Sequence, residues 1–341
     1  MKGSMLSEKV FVAGHRGLVG SALVRDLRQQ GYTNIVTRSH AELELEDADA
    51  VMSFFKRERP GVVYLAAARV GGILANSTYP ADFIRSNLSI QLNIVEACYK
   101  LGTRKMMMLG SSCIYPKHAQ QPMTESELLA GPLEPTNEPY AVAKIAGIKL
   151  CQAYNTQYGT NFVSVMPTNL YGPGDNFDLK NSHVLPALIR RFHEAKVTNT
   201  PAVVVWGTGG ARREFLHVDD MARACVHLMQ TYDSSEIINI GSGEDITIAQ
   251  VAGLVKQVVG YDGALEFDHS KPDGSPRKLL DVTRLLATGW RPTIPLERGV
   301  RETYAWYLEH VASARGVATP PRASAGPDDI PRTAGATARA S

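Results

Sequence analysis

Lys9-Val10-Phe11-Val12-Ala13 runs straight into Gly14-His15-Arg16-Gly17-Leu18-Val19-Gly20, and no other stretch of the chain restricts its fold so tightly. The apolar run predicts a buried strand. The spacing of Ala22, Leu23 and Leu27 then predicts a helix over 21–30, which Gly31 can stop. The glycines between them do separate jobs: Gly14 permits a tight turn, Gly17 a close approach of phosphate, and Gly20 close packing of helix on strand. Strand, glycine-rich turn and helix together leave backbone N–H groups and a helix N-terminus free to receive a pyrophosphate.

The same rhythm continues downstream. Strands are expected at Asn34–Val36, Val62–Ala67, Arg104–Leu109 and Phe162–Met166, and helices at Asp82–Lys100 and Glu138–Tyr158, the latter with Pro139 in its first turn. This alternation predicts an α/β fold, a Rossmann-type doubly wound parallel sheet with a smaller C-terminal α/β substrate domain. Beyond Gly172 the rhythm breaks into a helix at Val184–Ala195, a strand at Val203–Trp206 and a helix at Ile248–Val259. Phe215–Met229 reads as a helix and Ile237–Gly241 as a strand returning to the main sheet. The expected division is a dinucleotide domain over 9–170 with a return segment at 214–241, and a substrate domain over 171–213 and 242–313. A disordered tail is expected over 314–341, where Ala, Pro, Arg, Gly and Ser replace periodic apolar residues.

Charged residues at 21%, hydrophobic residues at 44% and a formal charge of +2 describe a globule with no basic face for nucleic acid. No apolar run approaches the ~20 residues of a membrane span, so no membrane role is expected. Cys98, Cys113, Cys151 and Cys225 lack metal-type spacing. They read as reduced thiols of a cytoplasmic protein with no metal.

The chemistry lies in Gly110-Ser111-Ser112-Cys113 and in Tyr140-Ala141-Val142-Ala143-Lys144. Tyr140 and Lys144 lie one helical turn apart, where an ammonium favours loss of the phenol proton, and Ser111 can hold the substrate oxygen that receives it. Such a set reduces a carbonyl with hydride from a nicotinamide. Arg16, Arg38 and His40 stand where an acidic residue would otherwise bind a ribose 2′-hydroxyl, which favours NADP(H). Reduction has no use for Cys113, so the thiol points to a second reaction.

Gly14–Gly20, the Ser111, Tyr140 and Lys144 set, and Arg213-Glu214-Phe215-Leu216-His217-Val218-Asp219-Asp220 resemble the extended short-chain dehydrogenase/reductases that act on nucleotide sugars. The runs Gly110–Lys117, Leu133–Tyr140, Met166–Gly174, Ser182-His183 and Ser270–Asp281 are similar to members that epimerise and then reduce a GDP-linked 4-keto-6-deoxy sugar. The likeness covers about residues 9–310. It implies Tyr140, Lys144 and Ser111 as the reductive set and Cys113 with His183 as the epimerising pair. For the cofactor it implies 14–20, Leu109, Gly110, Ser111, Ser112, Lys144, Pro167, Thr168, Asn169, Leu170 and His183. Contacts to the GDP-sugar match Arg191, Trp206, Arg213 and Asp273.

A ketone at C-4 acidifies the hydrogens on C-3 and C-5, and inversion there needs an acid and a base on opposite sides of the ring. A thiol and an imidazole, with ordinary pKa values of about 8.5 and 6.5, straddle neutrality and can share that work. Lys144 and cofactor charge are expected to lower the Cys113 value. A 4,6-dehydratase would carry a carboxylate where Ser112-Cys113 stands, and a non-catalytic NADP-binding regulator has no need of Tyr140 and Lys144. The resemblance also implies a homodimer, and the helices at 82–100 and 140–158 are apolar round most of their circumference, which predicts that they form the contact.

Overall fold

The computed structural model describes residues 6–179, 182–271 and 273–311, with the backbone alone at 73 and 74; the tail expected over 314–341 lies outside the described residues. β1 (Val10–Ala13) leads into α1 (Leu18–Gln29), and β2 (Ile35–Val36) into α2 (Ala48–Glu58). β3 (Val62–Leu65) precedes α3 (Ile73–Thr78) and α4 (Pro80–Lys100); β4 (Lys105–Leu109) precedes α5 (Glu138–Tyr158); β5 (Phe162–Pro167) follows. The remaining elements are β6 (Asn169–Tyr171), α6 (Val184–Val197), β7 (Ala202–Trp206), β8 (Arg212–His217), α7 (Val218–Thr231) and β9 (Ile238–Ile240). Then come β10 (Asp245–Thr247), α8 (Ile248–Val259), β11 (Ala264–Asp268), β12 (Arg277–Lys278), α9 (Thr283–Ala287) and α10 (Leu296–His310).

The main sheet has the order β2-β1-β3-β4-β5-β9, with every neighbouring pair parallel. From β1 the chain steps one way to β2 and then the other way to β3, so a crevice opens between β1 and β3 at their C-terminal ends. α1 packs on α7, and α4 packs between α2 and α5. Phe11 of β1 meets Phe54 and Phe55 of α2, with ring centroids 4.7 and 5.8 Å apart, which fixes that helix on the sheet. A second hydrophobic core gathers Phe177, Phe192, Val205, Val255 and Tyr307 around α6, α8 and α10. Between the two cores lies β8, which pairs with β6, β10 and β12.

Three expectations need correction. Phe215–His217 is the end of β8, not the start of a helix; the helix begins at Val218, where His217 Nδ1 accepts the Asp219 N–H at 3.2 Å and caps it. Pairing of Phe215–His217 with β6, in continuation of a strand held by β10 and β12, outweighs the helical spacing of its apolar residues. α1 starts at Leu18, three residues before the expected Ser21, because the Gly17 N–H already turns back to the Gly14 carbonyl at 2.8 Å. α2 was not expected at all, though Asp47 caps it by accepting the Ala50 N–H and Val51, Phe54 and Phe55 form its buried face.

Packing at the glycine turn leaves no room for a side chain. A Cβ on Gly20 would come 2.2 Å from the Gly14 carbonyl oxygen, a backbone atom that cannot move without opening the turn. Gly20→Ala should therefore destabilise the fold by about 1–3 kcal/mol, read as a lower urea midpoint at unchanged slope.

Candidate functional site

A cavity of about 830 Å³ lies along the C-terminal edges of β1, β3, β4 and β5. Its floor at one end is the glycine turn, where Gly14 has φ +84° and Gly17 caps α1 without a side-chain hydrogen bond. The first N–H groups of α1 thus have no side-chain acceptor and face the cavity, which suits an anionic diphosphate. A Cβ on Gly14 would meet the Ala67 backbone at 2.8 Å, so the turn and the loop after β3 touch through glycine alone. These features fit the nicotinamide dinucleotide that the sequence implies. The expected positions 14–19, Arg38, His40, 109–112, Tyr140, Lys144, 167–170 and His183 all line this one cavity, whereas Gly20 lies beneath it.

β4 delivers Ser111 at its C-terminal end, and the single 3₁₀ turn Ser112–Ile114 follows, with the Cys113 N–H donating to Ser111 Oγ at 3.3 Å. Tyr140 and Lys144 stand one turn apart on α5; the ammonium lies 5.8 Å from the Tyr140 ring centroid and donates to the Leu109 carbonyl at 2.8 Å. Phe83 of α4 sets its ring edge-to-face against Tyr140 at 6.5 Å. Burial raises the Tyr140 phenol well above its ordinary value, with Cys113 adding to the rise. Burial also pulls Lys144 down to about 8. Desolvation thus outweighs any easing of proton loss expected from Lys144, and a raised phenol suits a proton donor.

Cys113 follows the lining residues Ser111 and Ser112, and its thiol acts electrostatically on Tyr140 and Lys144. Burial pushes its thiol up, against the opposing influence of Ser111, Lys278 and Lys144, so the expected lowering is outweighed. His183 occupies the N-cap position of α6, lines the cavity and is exposed there, and the protein packed around it lowers the imidazole by desolvation.

The four residues matched to the sugar nucleotide stand apart from the cavity. Arg191 donates to the Val204 carbonyl at 3.4 Å, and Trp206, 63% exposed at the end of β7, carries the Lys271 ammonium 5.8 Å above its ring. Asp273 accepts from the Thr208 N–H and hydroxyl, both at 2.7 Å. Arg213 of β8 donates to the Arg212 and Ser275 carbonyls, and burial lowers its guanidinium while Asp273 opposes that. Arg213 pairs in register with Lys278 of β12, whose charge faces Cys113. Sequence reasoning missed Lys278; its one signal was membership of the run Ser270–Asp281. It also missed Asp175 and Asn176, which line the cavity beside His183. Among the described residues no group of three or more His, Cys, Asp or Glu is placed to hold a metal, and no helix is long and apolar enough to cross a membrane.

Residues 10–241 match the model of the NAD dependent epimerase/dehydratase family. The chain belongs to that family. The probable GDP-L-fucose synthase 1 of Oryza sativa subsp. japonica is 62% identical over 308 residues, 90% of this chain and 94% of the relative. The GDP-L-fucose synthase of Escherichia coli (strain K12) is 58% identical over 92% of this chain and 100% of its own length. Among solved structures, a GDP-L-fucose synthetase from Naegleria fowleri bound to NADP superposes with a TM-score of 0.84 at 32% identity, covering 90% of this chain and 96% of that one. In this epimerase/dehydratase family member, Lys144 is expected to serve the reductive set as an ammonium, so loss of its charge should set a pH limit. Its folded value is depressed, so it sheds its proton at lower pH than a free lysine, and carbonyl reduction should decline as pH rises through about 8. A kcat profile flat to pH 10 would show that the charge is not needed.

Proposed function

We propose that the protein converts GDP-4-dehydro-6-deoxy-D-mannose to GDP-L-fucose, by epimerisation at C-3 and C-5 followed by NADPH-dependent reduction of the C-4 ketone. The observation that carries this reading is the thiol of Cys113 beside Ser111, Tyr140 and Lys144, since reduction alone has no work for it. The names of the rice and Escherichia coli relatives support the substrate, and the NADP-bound Naegleria fowleri structure supports the cofactor.

In this reading residues 9–170 with 214–241 hold the dinucleotide, and 171–213 with 242–313 hold the sugar nucleotide through Arg191, Trp206, Arg213 and Asp273. When bound, NADPH supplies the hydride that reaches C-4. Cys113 takes the proton from the carbon next to the ketone, and His183 returns one from the opposite face. Lys278 and Lys144 favour the thiolate by charge, in opposition to burial. Ser111 holds the C-4 oxygen, and Tyr140, kept protonated by burial, donates to that oxygen as the ketone becomes an alcohol. Four free cysteines among the described residues support a reducing compartment, the cytoplasm.

Two variants separate the steps. Tyr140→Phe should lower NADPH oxidation by about 10²–10⁴-fold while C-3 and C-5 hydrogens still exchange with deuterated solvent. Cys113→Ser should abolish that exchange, and any residual reduction should yield an unepimerised 6-deoxy sugar. GDP-L-fucose formed at an undiminished rate by Cys113→Ser would remove the thiol from the mechanism.

The second copy expected of a homodimer has a surface to meet. Leu88, Leu92 and Tyr99 of α4 and Val142 and Tyr158 of α5 are exposed although the two helices pack closely on each other, and the stacked rings of Tyr99 and Tyr158 extend the patch. An apolar face of this kind on paired helices suits an isologous four-helix contact. Leu92 is 53% exposed in the single chain, so Leu92→Asp should leave folding intact yet halve the mass measured by light scattering. A wild-type chain that stays monomeric at micromolar concentration would overturn the dimer.

A further inference from the structure

Two of the side chains expected to greet a 2′-phosphate are already committed to carboxylates. His40 Nε2 lies 2.7 Å from Glu44 at the exposed rim of the cavity. Arg38, which lines the cavity just after β2, donates from Nη2 to Glu58 Oε1 at 2.8 Å and from Nη1 to the Thr37 carbonyl at 2.7 Å. Its guanidinium carbon also lies 5.4 Å from the Phe54 ring centroid. Arg38 is therefore held at one edge by Glu58, at another by its own backbone neighbour, and on one face by an aromatic ring.

Glu58 does not neutralise what it holds. It ends α2 and meets three cations, Lys9 at 3.3 Å, Arg38 at 2.8 Å and Arg57 at 3.2 Å. Glu42 also acts on Arg38 and on Arg16, so two carboxylates stand among four cations and the neighbourhood stays positive; an incoming phosphate meets attraction while the arginine is already oriented. A flexible arginine loses rotamer freedom when it captures an anion, and a tether that removes that freedom beforehand raises affinity. We propose that Glu58, through Arg38, is the positioning residue that sets this protein's preference for a 2′-phosphorylated dinucleotide. The inference rests on the reading of NADPH as cofactor and adds a determinant outside the cavity.

Calorimetry on the full chain with two probes tests it: adenosine 2′,5′-bisphosphate, which carries the 2′-phosphate, and adenosine 5′-monophosphate, which lacks it. Wild-type protein should bind the bisphosphate more tightly. Glu58→Ala should weaken the bisphosphate about tenfold and leave the monophosphate within about twofold. Glu58→Gln, which keeps an acceptor for Arg38 and disturbs packing least, should fall between. A general loss of structure would weaken both probes together, so a selective loss in Glu58→Gln still supports the tether. Unchanged or tighter bisphosphate binding in both variants would overturn it, because Glu58 would then be idle or a repelling charge. Wild-type protein that fails to distinguish the two probes would instead defeat the NADPH reading itself.

Discussion

The buried carboxylate of Glu214 joins the parts of this molecule that must stay in register. It is fully buried on β8, between the two hydrophobic cores, and accepts the Gly243 N–H at 2.7 Å and the Leu280 N–H at 3.1 Å. Its own carbonyl accepts from the Asn169 side chain at 2.8 Å. One residue thus ties the loop after β9, the segment after β12 and the proposed cofactor loop where β5 runs into β6. Burial raises the carboxyl, and the backbone donors pull the other way. Such a group is tolerable only when it is hydrogen-bonded, and the loss of its partners would be expensive. Its neighbour Arg213 therefore stands in a fixed relation to Lys278 on one side and to the cofactor loop on the other.

That register explains how one cleft can serve two reactions. Ser111 and Cys113 come from the end of β4, Tyr140 and Lys144 from α5, His183 from the cap of α6, and Lys278 from β12. The reductive set rests on the main sheet alone, where strand ends and a helix face are rigid. The proton-transfer pair of the proposed epimerisation spans the cleft, because a base and an acid on opposite faces of a sugar cannot come from one short segment. Desolvation is the common electrostatic theme. It raises Tyr140 and Cys113 and lowers Lys144 and His183, so each group is driven towards its neutral form, and the nearby cations oppose this only at the thiol.

In the proposed role of Glu58, cofactor preference is prepared away from the cavity wall. Arg38 alone, read as a charge at the end of a strand, says little about geometry. With Phe54 and Glu58 fixing its plane it becomes an oriented donor. The same α2 carries both residues, so the helix that completes the aromatic core around Phe11 also holds the arginine at the cavity.

Much was legible in the sequence because much of it is local. The glycine turn, the strand–helix alternation up to β5 save for α2 and α3, the turn between Tyr140 and Lys144 and the bounds of α5 and α8 follow from periodicity and from residues a few positions apart. Only tertiary structure could decide the rest. Phe215–His217 extends because β6, from a distant part of the chain, pairs with it, against its own helical spacing. Lys278 faces Cys113 because β12 lies beside β8, a register no local pattern encodes. The direction of each site pKa was also beyond the sequence, which predicted that cations would lower Cys113. Burial depends on how much protein closes around a group, and that is known only once the chain has folded.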